Sequence, residues 1–334
     1  MDELIFFINR VLISGTVLGS IYALGAIGIT LIFGILRFAH FAHGDMMTMG
    51  AFIGFVIASI LAGMGISTPI PIAFVVLPLA MVVTAVIALG IDKGFYAPLR
   101  RRGVPSVTLL IASIGVTLMM QGLIRLLFGS GTRSLYINET KEIFRIDMSA
   151  FGGTRPITIT EPQVLMMVVT VVLMLALHFF LTRSRLGKAM RAMADNAALA
   201  QVSGINTALV VRVTWVIAGA LACVAGTMLA LDVALMPDLA FNIVLPIFAA
   251  AIVGGLGHVY GAIVGGFLIA FAETLAVFNW TSVLRPLSGW LPEGFELPAN
   301  LALVPTEYKL TVAFVILVIT LLARPTGIFK GVSS

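Results

Sequence analysis

Residues 11–36, VLISGTVLGSIYALGAIGITLIFGIL, contain no charged side chain. A helix of about 20 such residues crosses a bilayer, because each residue rises about 1.5 Å and the hydrocarbon core is about 30 Å thick. Comparable apolar runs recur along the chain, at residues 70–91, 107–128, 164–181, 210–231, 259–278 and 310–323. The sequence therefore predicts a protein that crosses a membrane several times as α-helices.

The overall composition supports this prediction. Of 334 residues, 60% are hydrophobic and only 10% are Asp, Glu, Lys or Arg, whereas about 25% are charged in an ordinary soluble domain. None of the apolar runs alternates with a period of two residues, which argues against a β-barrel. We expect an all-α integral membrane protein with one domain, residues 1–334, and about eight to ten transmembrane helices that include short or broken ones.

Two further apolar segments do not have the length or continuity of the others. The segment Met46–Met64 is shorter and is interrupted by glycines. The segment Ile243–Leu256 is too short to span a bilayer alone, and Gly254, Gly255 and Gly257 lie at its end. The second segment is therefore expected to be a half-helix or a re-entrant segment.

The N-terminus and the cysteine content exclude two kinds of processing. Asp2 and Glu3 precede the first apolar run, where a secretory signal peptide would be basic, so we expect this run to be retained. Cys223 is the only cysteine, so the chain can form no intrachain disulfide and no site that needs several thiolates.

The distribution of Lys and Arg predicts the orientation. Short loops rich in these residues stay on the cytoplasmic side of a membrane. Three places are rich in them, namely Lys93 with Arg100–Arg102, the cluster Arg183–Arg191, and Arg324 with Lys330 near the C-terminus. We expect all three, and the C-terminus, to be cytoplasmic. The net charge of +5 then reflects topology and gives no reason to expect nucleic acid as a partner.

The two longest loops on the opposite side are expected to face outward. They comprise residues 129–161, which carry both signs of charge, and residues 279–307, which are slightly acidic. The second loop contains Pro286, Pro292, Pro298 and Pro305, and we expect it to fold into a small cap because long structureless loops are uncommon in compact domains.

The segment 182–206, TRSRLGKAMRAMADNAALAQVSGIN, is a polar interruption between two apolar runs. Asp195 or Asn196 can cap a short helix that runs from Ala197 toward Ser203, and Gly204 can end it. Apolar side chains share one side of the segment at helical spacing, namely Met190, Met193, Ala197 and Ala200. Two interpretations remain open: this side docks into a groove on a partner, or the helix rests on lipid headgroups.

The segment 37–45, RFAHFAHGD, is a polar break between two apolar runs. A metal site formed by His40, His43 and Asp45 is improbable, because the whole chain has four histidines and the other two lie far away. In one interpretation Gly44 breaks the helix, Asp45 caps the next helix, and the histidines lie near the membrane surface. In the other, the segment is the break of a discontinuous helix whose freed backbone groups meet a charged solute.

Three stretches in a fixed order resemble a known family. They are residues 18–52, residues 187–206 and residues 248–274, and the ending RPTGIF at residues 324–329 adds a fourth. Together they cover the chain from Leu18 to Phe329 and resemble the permease subunits of bacterial high-affinity branched-chain amino acid ABC importers. The two outward loops carry the least resemblance.

The resemblance implies a multi-pass subunit of the bacterial inner membrane with no catalysis or cofactor of its own. A periplasmic binding protein would deliver substrate, a second homologous permease subunit would complete the path, and two cytoplasmic ATPase subunits would bind ATP. Consistently, the chain contains no GxxxxGK[ST] phosphate loop. Surrounding membrane lipid is the remaining partner, and no metal is expected.

The resemblance also implies functional residues. The segment 182–208 would be the coupling loop, and its ATPase-coupling residues would be Gly187, Arg191, Ala192, Asp195, Ala200, Gly204 and Asn206. Asn196 and Ala197 stand where the family often has a proline and an acid. The candidate substrate-path residues are His40, Phe41, His43, Gly44, Asp45 and Gln121.

The cargo implied by the resemblance is a branched-chain or related aliphatic amino acid. Urea, short amides and aromatic acids are alternatives that it does not separate. A stand-alone secondary transporter is the main rival from another class, and it predicts acidic groups buried at the membrane midplane. Asp45 is the strongest inner candidate for such a group, and Glu273, Asp232 and Asp238 rank below it. A membrane metalloenzyme ranks third.

Overall fold

A computed structural model describes residues 2–66, 68–137, 139–149, 153–285 and 298–329. Within these residues, eight helices are long and apolar enough to cross a membrane, and a ninth apolar helix, Phe241–Gly254, is shorter. The predicted all-α fold with about eight to ten helices is therefore confirmed. The short ninth helix corresponds to the half-helix that the sequence predicts at residues 243–256.

Two of the connecting segments are π-helical, Ile8–Ile13 and Asp92–Tyr96. In chain order the helices are α1 (Asp2–Phe7), α2 (Ser14–Leu36), α3 (His43–Gly63), α4 (Ile72–Ile91), α5 (Ala97–Arg101), α6 (Ser106–Phe128), α7 (Glu161–Arg183), α8 (Arg185–Asp195), α9 (Ala197–Val202), α10 (Thr207–Asp232), α11 (Phe241–Gly254), α12 (Val259–Val277), α13 (Thr281–Leu284) and α14 (Lys309–Ala323), with a 3-10 turn at Thr306–Tyr308. Two short strands, β1 (Ile143–Ile146) and β2 (Ile157–Thr160), pair antiparallel.

The first helix is longer than a bilayer requires. The span from Asp2 to Leu36 has 35 residues, which corresponds to about 52 Å at about 1.5 Å per residue. Its N-terminal part packs against the β1–β2 hairpin, where the Asn9 side chain donates to the Pro156 carbonyl and accepts from the Thr158 N–H at 3.3 and 3.1 Å. The predicted loop 129–161 is thus partly folded onto this extension.

Helix α2 lies at the centre of the bundle, and close packing by glycine joins it to its neighbours. A Cβ atom added at Gly266 of α12 would lie 2.6 Å from the Cα of Ala23. The same device joins α10 to α3, since a Cβ at Gly226 of α10 would lie 1.9 Å from the backbone oxygen of Met47. These positions exclude a side chain, because small residues are what allow membrane helices to approach closely.

Helix α3 corrects one prediction. The sequence predicts a segment at residues 46–64 that is interrupted by glycines, whereas α3 is continuous from His43 to Gly63. Gly50 is a packing position, since a Cβ there would lie 2.6 Å from the Cα of Cys223 in α10.

The three cation-rich segments lie at one end of the bundle, which we call the basic end. Gly257 lies against Gly34 near the end of α2. The ring of Phe329 stacks on His258, and Tyr260 is hydrogen-bonded to His178 near the end of α7 at 2.8 Å. The basic end therefore includes the described part of the C-terminal segment; Lys330 lies outside the described residues.

The C-terminal segment also completes helix α11. The N–H groups of Ile328 and Phe329 donate to the carbonyls of Val253 and Gly254 at 2.8 and 3.2 Å. Gly327 has a φ of 80° and packs against Gly255, where a Cβ would lie 2.7 Å from its Cα. The last carbonyls of α11 would otherwise lack partners.

The prediction of a small cap at residues 279–307 falls largely on residues 286–297, which lie outside the described part of the chain. The described residues on either side of this gap are joined by hydrogen bonds. The Asn279 side chain donates to the Ala299 carbonyl at 3.1 Å, and the Thr281 hydroxyl donates to the Pro298 carbonyl at 2.8 Å.

Candidate functional site

The polar break predicted at residues 37–45 is present, and it begins at Arg37. This residue follows the end of α2 with a φ of 57°, the only positive value at a non-glycine position among the described residues. The linker then turns back into the bundle, because His43, at the start of α3, packs against Gly28, where a Cβ would lie 2.3 Å from the imidazole Cε1. Gly28 lies eight residues before the end of α2, so α3 begins about 12 Å inside the basic end.

Gly44 does not break a helix, in contrast to the first interpretation of this segment. It lies in the first turn of α3, where a Cβ would be 3.1 Å from the Cβ of Val244 and 3.2 Å from the Ala240 oxygen. The N–H of Ala240 donates to the Thr48 hydroxyl at 3.1 Å. The first turns of α3 and α11 therefore meet inside the bundle, and Gly44 permits their close approach.

The two histidines of the break are buried inside the bundle; their position relative to the membrane surface stays a prediction. His40 Nδ1 is 3.1 Å from the hydroxyl of Tyr96, and its ring centroid is 4.9 Å from that of Trp215. Tyr96 lies in the π-helical segment after α4 and Trp215 lies within α10, and both rings pack against this imidazole. His40 therefore fixes the linker to two other helices.

Asp45 is buried in the first turn of α3, and it does not cap this helix. The N-cap position is Ala42, and no side chain caps the helix there. The side chain instead points across to α6, where the carboxyl group lies beside Thr117 and Gln121. It therefore does not cap α3, and the capping interpretation is wrong.

This polar cluster, Asp45 with Thr117 and Gln121, is incompletely hydrogen-bonded. Asp45 Oδ1, Thr117 Oγ1 and Gln121 Nε2 are buried and have no hydrogen-bond partner within the described part of the chain. A buried polar atom without a partner costs about 1–3 kcal/mol. A water molecule or a polar solute could satisfy these three atoms.

The cluster belongs to a polar stripe on α6. Ser113, Thr117, Gln121 and Arg125 recur every four residues and so share one side of the helix. The Ser113 hydroxyl accepts from the N–H of Phe41, and Arg125 forms an ion pair with Asp238. The stripe thus faces the linker before α3 and the linker before α11. Sequence reasoning identified Gln121 and Arg125 but missed Ser113 and Thr117, whose four-residue spacing was the available signal.

A second buried carboxylate lies in α12. Glu273 accepts from the hydroxyl of Tyr22 at 3.0 Å and lies 3.8 Å from the Lys309 Nζ, while its Oε1 has no partner among the described residues. Glu273 ranks below Asp45 as a candidate from the sequence, yet both side chains are buried. Asp45 is therefore not the only strong inner acidic group.

The segment 182–208 folds as two short helices, α8 and α9, which we call the α8–α9 hairpin. The Ser184 hydroxyl accepts from the Gly187 N–H at 2.8 Å and caps α8. The Asn196 side chain accepts from the Leu199 N–H at 3.0 Å and caps α9. Gly204 ends α9 with a φ of 81°. The predicted cap at Asn196 and the predicted stop at Gly204 are confirmed.

The apolar side of the hairpin faces the bundle of this chain. Met190, Met193 and Ala200 are buried, and a Cβ at Gly187 would lie 2.2 Å from the Phe180 oxygen. The prediction that this side docks into a partner or rests on lipid is therefore wrong for these residues; only Ala197 of the four is exposed. The nearest apolar surface is the end of the spanning helices, and the hairpin packs there.

The outer side of the hairpin is available for contact. Among the predicted coupling residues, Arg191, Asp195, Gly204 and Asn206 are exposed, Ala192 is half-buried, and Gly187 and Ala200 are buried. Leu199 and Val202 of α9, which sequence reasoning did not single out, are 65% and 87% exposed. Large apolar side chains this exposed at the end of the bundle are candidates for a contact with another subunit.

The chain has several apolar helices long enough to span a membrane. Two helices, α3 and α11, begin inside the bundle, and buried polar groups without partners lie beside α3. These features define a polytopic membrane protein of the permease class. The sequence profile of the family described as "Branched-chain amino acid transport system / permease component" matches residues 11–321. The chain belongs to this family, which consists of transport components and not of enzymes.

Relatives in bacteria and archaea match nearly the whole chain. The Escherichia coli (strain K12) protein "High-affinity branched-chain amino acid transport system permease protein LivH" is 32% identical over 98% of this chain and 96% of its own length. The Pseudomonas aeruginosa protein of the same description, BraD, is 31% identical over 98% and 97%. The Methanocaldococcus jannaschii "Probable branched-chain amino acid transport permease protein LivH" is 27% identical over 96% and 92%.

Among solved structures, "PsaBC from Streptococcus pneumoniae in complex with Fab" covers 97% of this chain and 94% of its own, with 15% identity and a TM-score of 0.46.

Proposed function

We propose that the chain is the permease subunit of an ATP-driven importer for branched-chain or related aliphatic amino acids. The names of the relatives support the cargo. In this proposal a second homologous permease subunit completes the path, a periplasmic binding protein delivers the cargo, and two ATPase subunits bind ATP. The proposal that ATP drives transport rests on the α8–α9 hairpin. One side of this hairpin packs on the bundle, and the other side exposes Arg191, Asp195, Leu199 and Val202.

The basic end faces the cytoplasm in this proposal, and the chain lies in the inner (plasma) membrane. The support is the concentration of Lys and Arg at this end, which retains loops on the cytoplasmic side. The hairpin and the C-terminus then lie on the side where ATP is available. The β1–β2 hairpin and residues 279–307 face outward.

The substrate path runs beside the polar cluster of α3 and α6. Asp45, Thr117 and Gln121 offer unsatisfied polar atoms that can exchange bonds with the ammonium or carboxylate of an amino acid. Of the other predicted path residues, His40, His43 and Gly44 hold the first turn of α3 in place, and Phe41 packs on Phe248 with ring centroids 4.7 Å apart. A tight site is not required, because the binding protein supplies much of the selectivity.

The energy of ATP hydrolysis reaches the path through the hairpin. We assign the contact with the ATPase to the exposed members of the predicted coupling set and to the α9 side chains Leu199 and Val202. The buried members, Gly187 and Ala200, keep the hairpin rigidly attached to α7 and to the rest of the bundle.

The test is affinity purification of the chain from its native membrane in a mild detergent, followed by identification of the proteins that copurify. Recovery of a second permease and of ATPases with phosphate loops supports the importer. Recovery of the chain alone, with uptake intact after reconstitution, contradicts it and supports a secondary transporter, for which Asp45 and Glu273 are the buried carboxylates. The associated binding protein, titrated with leucine, valine, urea, short amides and phenylalanine, then distinguishes the cargoes.

A further inference from the structure

A large cavity opens at the basic end, away from the polar cluster of α3 and α6. Its volume is about 1030 Å³, and it lies between the ends of α2 and α4, the start of α10 and the α8–α9 hairpin. Part of its wall is apolar, with Ile35, Leu89 and Val211 among the lining side chains. The rest is strongly basic.

Three of the cations in this cavity are not neutralised. Arg100 forms two hydrogen bonds with Asp92, at 2.6 and 3.1 Å, and these two charges cancel. Lys93, Arg101 and Arg212 also line the cavity, and none of them forms an ion pair within the described ranges. The cavity therefore has an excess of three positive charges, which suits an anion with several oxygen acceptors.

An exposed apolar stripe leads from the membrane to this cavity. Leu79, Val82 and Val86 of α4 are exposed on one side of a spanning helix, and Leu89 and Lys93 continue that side into the cavity. In a bilayer such side chains contact acyl chains. The exposed apolar side of α4 thus leads directly to the cluster of cations in the cavity.

We propose that this cavity binds one anionic phospholipid of the adjacent leaflet, with its phosphate on Lys93, Arg101 and Arg212 and an acyl chain along α4. Basic pockets between helices on the cytoplasmic side of membrane proteins bind anionic headgroups in this way. Met193 of α8 and Gln201 of α9 line the same cavity, so the lipid contacts the hairpin as well as the bundle. The assignment to the cytoplasmic leaflet rests on the proposed orientation, whereas the binding itself does not.

The test uses the protein purified with whatever subunits remain bound, exchanged into equal amounts of phosphatidylglycerol and phosphatidylcholine. Native mass spectrometry then measures which lipid is retained. We expect phosphatidylglycerol to be retained in preference, and the double variant Arg101→Gln/Arg212→Gln to retain it roughly tenfold less, since each cation near a headgroup contributes to binding. Arg102→Gln is the matched control, because this neighbouring exposed cation does not line the cavity.

Several outcomes would overturn the inference. Equal retention of the two lipids, unchanged retention in the double variant, or an equal loss in the control would each do so. Displacement of the retained lipid by millimolar inorganic phosphate would show a site for small anions instead. Loss of a copurifying protein subunit with unchanged lipid retention would show a protein contact. If the double variant fails to fold, Lys93→Gln replaces it. Because retention is measured without transport, its failure leaves the importer proposal standing.

Discussion

The guanidinium of Arg37 donates a hydrogen bond to the carbonyl of Ala194 at 2.6 Å. This bond joins the start of the linker before α3 to the last turn of α8. Arg37 adopts a left-handed backbone conformation, which costs about 1–2 kcal/mol at a residue with a side chain. The two segments that the importer proposal assigns to coupling and to the path are therefore directly connected.

We predict that Arg37→Gly uncouples ATP turnover from substrate. Glycine adopts the left-handed conformation without strain, so this variant removes the contact with Ala194 while the backbone is retained. Substrate-stimulated ATP hydrolysis by the assembled complex should fall several-fold, with normal yields of complex. Arg102→Gly serves as a control at an exposed cation of the same end. Full stimulation in Arg37→Gly would show that this bond does not transmit the signal.

Replacing Arg191 and Asp195 together by alanine should abolish substrate-stimulated ATP turnover and leave membrane insertion intact. Both side chains are exposed on the hairpin, so their loss should cost little in stability. The readout is ATP hydrolysis in reconstituted complexes with binding protein and substrate. Normal turnover in this variant would contradict docking at this surface.

Leu199 and Val202 should contribute to the same interface. Changing both to serine removes exposed apolar area, so the fraction of ATPase that copurifies should fall by roughly tenfold. Ala197→Ser, an exposed small residue on the same helix, should have no such effect. Unchanged copurification in the Leu199/Val202 variant would limit the interface to α8.

Asp45→Asn tests the polar cluster. The substitution keeps the shape of the side chain and removes its charge next to Thr117 and Gln121, so uptake should slow by roughly tenfold or more while the complex still assembles. Asp147→Asn, at an exposed site in the loop before β2, is the control. Uptake by Asp45→Asn at the rate of the unmodified protein would place the path elsewhere.

Replacing His40 and His43 by alanine should also change the kinetics of uptake, but it should lower thermal stability as well, because both rings are buried.

Gly187→Ala should detach the hairpin from the bundle. The added methyl would lie 2.2 Å from the Phe180 oxygen and 2.5 Å from the Leu181 Cα, and such overpacking costs about 1–3 kcal/mol. Thermal unfolding in detergent should show a lower midpoint than for Gly94→Ala, where a Cβ meets nothing within 4 Å. Equal midpoints would mean that the backbone relaxes freely at Gly187.

The Glu273–Lys309 pair can be tested by a double-mutant cycle. Lys309→Ala leaves a buried carboxylate without a counter-charge, which is strongly destabilising, whereas Glu273→Gln in the same chain removes that charge. The double variant should therefore be more stable to heat than Lys309→Ala alone. Additive losses would show that the two groups do not interact.

The helices could be predicted well because a bilayer sets the length of an apolar run. The run 107–128 corresponds to Ser106–Phe128, and the run 259–278 corresponds to Val259–Val277. The sequence predicts the start of α3 at residue 46 because its first turn is polar, and only the fold shows that this turn is buried. The covering of the hairpin cannot be predicted for a related reason, because helical spacing shows which residues share a side but not which surface covers that side.

The bonds from Ile328 and Phe329 to the end of α11 have a consequence for biosynthesis. The ribosome makes these residues after α12 and α14, so the carbonyls of Val253 and Gly254 lack these partners when α11 is synthesised. Helix α11 can therefore be inserted early but completed only after α14 has been made. A chain truncated before Ile328 would leave this helix unfinished.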